Sequence, residues 1–208
     1  MTVTFDLFGT LVDVDRQEDP GAAVAAELRA REVAVPDDWH DAYRELHVDA
    51  ERGEELSLVA HVAATLASRG VDADPAVVSD AVTTAFDPDD VRTRDGAAEA
   101  VAAAADRGPV AVLSNCSVPG LVERTLARSD LDADRFDAIV ASVDAGWRKP
   151  FDAAFEHAAD ALGVDAASLV HVGDDPRADG GIRTLGGTFV DVSDVPLTEL
   201  PAYLEAES

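Results

Sequence analysis

Apolar and polar residues follow two rhythms along this chain. Residues 2 to 5 read as a short buried strand ending at Asp6. After Asp13 the apolar positions fall at helical spacing for about eighty residues, with no strand signal. Pro20 opens a helix over 22–31, and Pro36-Asp37-Asp38 opens one over 39–50. Ser57 stands where it can cap a helix over 58–68, stopped by Gly70, and Pro75 opens a fourth over 76–86. Asp87-Pro88-Asp89-Asp90 then makes a turn.

From Asp95 the two rhythms alternate. Helix 96–106 precedes strand 110–114, helix 119–128 precedes strand 137–141, and helix 151–162 precedes strand 168–172. Helix 177–185, strand 188–192 and a last helix near 197–205 complete the chain. Such alternation predicts an α/β fold of right-handed βαβ units, a parallel sheet with helices on both faces. A four-residue strand is not stable alone, so strand 2–5 must join that sheet. The four helices are therefore an insertion: residues 1–13 and 95–208 make the core, 14–94 the inserted unit.

Composition changes this picture in one respect. The formal net charge is −26, from 42 acidic and 16 basic residues, yet 47% of the chain is hydrophobic. The periodic apolar runs exclude a disordered acidic tail. No basic stripe is present to meet phosphates, which argues against nucleic acid. Low Lys with high Asp and abundant Ala resembles the cytoplasmic proteins of salt-accumulating halophiles. Screening relieves self-repulsion, so the melting temperature is expected to rise between ~0.1 M and ~2 M KCl. Thermal melts across that range check this, and a flat or falling Tm contradicts it. One cysteine, Cys116, fits a reducing compartment. Without a basic leader or a membrane-length apolar stretch, the expectation is a cytoplasmic protein, monomer or homodimer, with a small-molecule substrate and no membrane or nucleic-acid partner.

Four segments carry candidate chemistry. Phe5-Asp6-Leu7-Phe8-Gly9-Thr10 places a carboxylate where a strand meets a tight turn, at the carboxyl edge where parallel sheets bind ligands. Val112-Leu113-Ser114-Asn115 delivers a hydroxyl to the same edge. Arg148-Lys149-Pro150 supplies the only lysine of the chain, against fifteen arginines. Val172-Gly173-Asp174-Asp175, followed by Asp179, delivers carboxylates. An ammonium is a compact point charge where a guanidinium is a wide fork, so a site lysine is not replaceable by arginine. Lys149→Arg is accordingly expected to remove most activity with little change in Tm. Carboxylates with one lysine and no Cys/His ligand set suit Mg²⁺. The five histidines are scattered, four in helical stretches and His171 within a strand, and each reads as structural.

In this order the segments resemble the haloacid dehalogenase superfamily, hydrolases that attack through a strand-end aspartate. The resemblance spans the whole chain and implies a Rossmann-like core with a C1-type helical cap. It implies that Asp6 is the nucleophile, that Ser114 donates a hydrogen bond to the substrate, and that Lys149 neutralises the nucleophile. Phe8, Gly9, Thr10 and Asn115 would contact substrate. Mg²⁺ would be held by Asp6, the Phe8 carbonyl and Asp174, with Asp175 or Asp179 in support. Two features point apart. The phosphatases carry a second Asp where this chain has Phe8; the 2-haloacid dehalogenases carry an aromatic there, and Arg44 could stand for their halide-binding arginine. Gly173-Asp174-Asp175 looks like the Mg²⁺ loop of the phosphatases, and Phe155 replaces a dehalogenase Tyr. The balance leans to a Mg²⁺-dependent phosphatase acting on a small phosphorylated metabolite. A metal-independent dehalogenase and a catalytically impaired binding protein of the same fold are the alternatives.

Overall fold

The computed structural model describes residues 1–15 and 17–206. Strand β1 (Thr2–Phe5) leads through a tight turn into β2 (Val12–Val14). Helices α1 (Pro20–Ala30), α2 (Trp39–Arg44), α3 (Leu58–Ser68) and α4 (Pro75–Ala85) follow, and the chain returns through β3 (Val91–Thr93). Next come α5 (Ala97–Ala105), β4 (Val110–Ser114), α6 (Leu121–Arg128) and β5 (Ala138–Ala141). A single turn, α7 (Ser142–Ala145), precedes α8 (Asp152–Leu162) and β6 (Leu169–Gly173). Strand β7 (Thr188–Asp191) and α9 (Leu200–Ala206) close the described chain.

Five strands pair in parallel in the order β5-β4-β1-β6-β7, so the first strand of the chain is the middle of the sheet. Side chains alternate across it. Val3, Phe5, Val110, Val112 and Val172 share one core with Ala97 and Ala100 of α5 and Leu200 and Leu204 of α9. Leu113 and Leu169 point the other way, onto Phe155 and Ala158 of α8 and Ile182. Burying each such Val, Leu or Phe contributes roughly 1.5–3 kcal/mol. The sheet is covered on both faces, as the βαβ alternation predicts.

The structure departs from sequence expectation at several places, some of them joined by long-range contacts. Strands β2 and β3 pair antiparallel, Val12 with Thr93 and Val14 with Val91, and flank the four helices in the chain. Each is three residues long and its partner lies far along the chain, so neither has a local signal. The second helix stops at Arg44 instead of running to 50, and the Ala42 carbonyl there meets the Glu45 N–H and the His47 ring, the latter at 2.9 Å. The freed segment then docks on the core: Glu55 N–H donates to the Gly146 carbonyl and Arg148 N–H to the Gly53 carbonyl. Asp19 and Asp74 cap α1 and α4 through their carboxylates, whereas the Ser57 side chain makes no capping bond to α3. Residues Asp179–Leu185 wind as a 3₁₀ helix, and α7 forms where only a loop is expected. Among the described residues no helix is long and apolar enough to cross a membrane.

Candidate active site

The carboxyl ends of β1, β4 and β6 meet at one edge of the sheet, since these three strands are neighbours. Asp6 continues β1, its N–H bonded to the Val172 carbonyl at 2.9 Å, so its side chain is fixed over the edge. The chain then doubles back. Leu7 accepts from the N–H groups of Leu11 and Val12, and Gly9 takes a φ of +89° that side-chain-bearing residues avoid. A Cβ at Gly9 would also lie 2.6 Å from Asp174 Oδ2, so this glycine lets the turn close on the β6 loop. Thr10 Oγ1 sits 3.4 Å from Asp6 Oδ2 and 3.2 Å from Asp174 Oδ1, and its proton serves one carboxylate at a time.

Lys149 lies at the centre, with 1% of its side chain exposed. Its Nζ donates to Asp6 Oδ1 at 2.8 Å and to the Leu113 carbonyl at 2.8 Å, and meets Asp179 Oδ1 at 2.6 Å. Three ammonium protons find three acceptors, and no donor is left over. Burial alone would lower the Lys149 pKa, but Asp6 and Asp179 more than reverse this and raise it, so the ammonium stays charged. For Asp6 burial is the largest influence and raises its pKa against the pull of Lys149; Asp179 and Asp174 raise it further.

Asn115 holds the lysine from behind. Its Oδ1 accepts from Lys149 N–H at 2.8 Å and its Nδ2 donates to the Lys149 carbonyl at 3.0 Å. The side chain expected to bind substrate is thus committed to the Lys149 backbone, while the residue still lines the adjoining cleft. Ser114 ends β4 beside them, buried, its hydroxyl without a hydrogen-bond partner among the described residues. A buried donor of this kind needs a partner, which fits a group kept for a ligand.

The β6 loop separates its three acids. Asp6, Asp174 and Asp179 each offer an oxygen within 4.8 Å of the others. Asp175 is not in that group: its carboxylate is exposed and accepts from Arg177 N–H at 2.9 Å, closing its own turn. Of the two supporting acids the sequence left open, Asp179 is the one that joins the group. Asp179 is buried and heavily committed, accepting from Lys149 and from His171 Nε2 at 3.0 Å on Oδ1 and from Asp175 N–H at 3.0 Å on Oδ2. Burial would raise the Asp179 pKa, but the His171 hydrogen bond and the Lys149 ammonium hold it well below the usual carboxylate range. Gly173 permits this, because a Cβ there would lie 2.2 Å from Asp179 Oδ2.

His171 is the residue that sequence reasoning missed. It faces Phe155 edge-on at 5.3 Å and is wholly buried. Thr4 Oγ1 lies 2.8 Å from Nδ1, so Thr4 donates there while Nε2–H donates to Asp179. Lys149 Nζ at 3.5 Å from Nε2 then faces another donor and forms no bond with it. Burial, with help from Lys149, lowers the His171 pKa to about 4, so the ring is neutral at physiological pH and orients Asp179. The available signal was a histidine and a threonine at paired positions of adjacent strands, Thr4 beside His171.

Phe8 is partly buried and lines the cleft that opens from this edge. Arg44 does not reach it. Helix α2 buries Trp39 and Ala42 and leaves Arg44 exposed, and Arg44 is not among the cleft-lining residues. Arg44 therefore stands apart from the residues gathered at the sheet edge.

A haloacid dehalogenase-like hydrolase family model matches residues 1–181. The chain belongs to that family. No curated protein matches it. A 2-haloacid dehalogenase of Pseudomonas syringae pv. Tomato DC3000 superposes with a TM-score of 0.71 at 22% identity, covering 100% of this chain and 99% of the other. A predicted phosphoglycolate phosphatase of Haemophilus somnus 129PT gives 0.59 at 14% identity, covering 99% and 97%. The magnesium-bound hydrolase YfnB of Bacillus subtilis gives 0.56 at 18%, also covering 99% and 97%. At these identities the likeness establishes the fold alone. As a haloacid dehalogenase-like hydrolase, the chain places its strand-end aspartate, lysine and acidic loop at one sheet edge.

Proposed function

We propose that this haloacid dehalogenase-like hydrolase is a Mg²⁺-dependent phosphatase that works through Asp6. The observation that carries the reading is the approach of Asp6, Asp174 and Asp179 to within 4.8 Å of one another. A single lysine does not balance three carboxylates, and hard oxygen donors suit Mg²⁺. Asp6 and Asp174 would hold the ion, with Asp179 behind them already bonded to Lys149 and His171. Bound there, Mg²⁺ would neutralise the carboxylates and polarise a phosphoryl oxygen.

Within the chain, Lys149 keeps Asp6 oriented and Asn115 keeps Lys149 in place. Asp6 is then free to attack phosphorus through Oδ2, the oxygen that Lys149 does not hold. The Ser114 hydroxyl is available to the transferring group. Phe8 offers no proton to the leaving group. General acid assistance contributes about 10²–10⁴-fold, so substrates whose leaving group departs as a stable anion are favoured.

The same Phe8 supports the second reading, a 2-haloacid dehalogenase, because halide departs without a proton. Metal dependence separates the two. Hydrolysis of 4-nitrophenyl phosphate is expected to stop in EDTA, to return with Mg²⁺, and to fall by roughly 10²–10³-fold in Asp174→Ala, the equivalent of a few kcal/mol. Halide release from 2-chloropropionate at full rate in EDTA would overturn the phosphatase reading.

A further inference from the structure

Residues 53–58, between α2 and α3, meet the two loops that converge on Lys149. The Gly53 carbonyl accepts from Arg148 N–H at 3.0 Å, and Glu55 N–H donates to the Gly146 carbonyl at 2.9 Å. Glu54 and Trp147 pair as an isolated antiparallel bridge. On the other loop, Leu58 N–H donates to the Ser117 carbonyl at 2.8 Å. The lysine is thus approached from two sides. Its chain neighbour Arg148 is held directly, and Asn115, which bonds the Lys149 backbone both ways, lies just before Ser117.

One side chain of this segment is buried despite its charge. Glu55 exposes 7% of its side chain, and Arg148 Nε, on a half-exposed side chain, stays 3.9 Å away. A buried carboxylate is costly unless its oxygens are bonded. The close partner is the Ser142 hydroxyl, 2.7 Å from Glu55 Oε2, a short charge-assisted bond. Ser142 Oγ also accepts from Cys116 N–H at 2.8 Å and lies 3.3 Å from the Cys116 carbonyl. A hydroxyl has one proton, and a carboxylate can only accept. Glu55 therefore takes that proton and turns a Ser142 lone pair to Cys116 N–H. Without the carboxylate the proton can go to the Cys116 carbonyl instead, and the bond to Cys116 N–H loses its fixed direction.

We infer that Glu55 is a positioning residue for Lys149, acting through Ser142 and Cys116 N–H on the loop from which Asn115 holds the lysine backbone. Glu55 is not among the partners of the Lys149 ammonium, which are Asp6, Asp179 and the Leu113 carbonyl, so its effect is carried by the loop. The inference rests on the reading that Asp6 and Lys149 carry the chemistry.

Hydrogen exchange and steady-state kinetics test this together. In Glu55→Ala the amides of Cys116 and Lys149 should exchange about tenfold faster or more, while those of β1, in the middle of the sheet, stay as in the wild-type protein. The kcat should fall roughly tenfold or more with KM changed by about twofold or less, because a displaced Lys149 costs the chemical step and not binding. Glu55→Gln keeps an oxygen that accepts from Ser142, and should bring both readouts to within about threefold of wild type. Ser142→Ala should be impaired like Glu55→Ala, and the double variant no worse than Ser142→Ala alone, since both residues act through one bond. Should Glu55→Ala fail to fold, Ser142→Ala and Glu55→Gln carry the same readouts. Kinetics are read on 4-nitrophenyl phosphate with Mg²⁺ and on 2-chloropropionate. If the wild-type protein releases only halide, the phosphatase reading fails, and the kcat comparison on that substrate decides the positioning role. Faster exchange confined to Glu55 and Leu58, an unchanged kcat in a folded Glu55→Ala protein, or a Gln variant as impaired as the Ala variant would overturn the inference.

Discussion

Asp6→Asn is expected to cut turnover by roughly 10⁴-fold or more, the scale seen when a covalent nucleophile is removed. The substitution changes little else. Asn keeps the size of the side chain, and its carbonyl oxygen can still accept from Lys149 Nζ, now 2.8 Å from Asp6 Oδ1. Lys149 keeps Asp179 as a counter-charge at 2.6 Å. Removing the Asp6 charge also relieves its repulsion by Asp179 and Asp174, which raises its pKa in the native protein. Loss of one ion pair and relief of that repulsion oppose each other. Tm should therefore shift by no more than about 4 °C, the equivalent of roughly 1 kcal/mol for a chain of this length. Steady-state kinetics and a thermal melt on the same preparation check both halves. Wild-type turnover in a folded Asn variant would remove the chemistry from this edge.

Lys149→Arg is expected to abolish activity and also to destabilise the fold. The sequence alone suggested that arginine would spare stability, since the chain accepts arginine so freely. Burial reverses that expectation. The ammonium occupies a closed site, with Asp6, Asp179 and the Leu113 carbonyl placed for three protons on one nitrogen. A planar guanidinium is larger and cannot converge its donors on those three points. Overpacking of a buried position costs about 1–3 kcal/mol, or roughly 2–4 °C of Tm per kcal/mol. Loss of the Asp6 contact should lower kcat by about 10²-fold or more, a few kcal/mol of misplaced nucleophile. Near-normal kcat with an unchanged melt would return Lys149 to the status of an ordinary charge.

The parts of the site that could be read from the chain sit where strands end. Asp6, Ser114 and Asp174 each follow a short apolar run, and parallel strands deliver such residues to a common edge. Lys149 stood out by being alone of its kind. Within the segment from Asp174 to Asp179, composition gave no way to choose among three acids. The choice is made by the turn after β6, which spends Asp175 on Arg177 N–H and drives Asp179 inward onto His171 and Lys149. The place of Arg44 outside the cleft was hidden for a similar reason, because a helix pattern gives a face but not the direction in which the whole helix is set.

The sequence by itself determined the alternation of helix and strand, the first strand's membership of a parallel sheet, and the run of four helices that follows that strand. These follow from the spacing of apolar side chains within single elements, and each element carries its own spacing. Only the tertiary structure decided that β1 lies between β4 and β6, which brings Thr4 beside His171. It also decided that β2 pairs with β3, and that residues 53–55 leave the helical pattern to dock near Lys149. Such contacts join segments far apart in the chain. Their register is fixed by what each side chain meets across the core, and no local pattern records it.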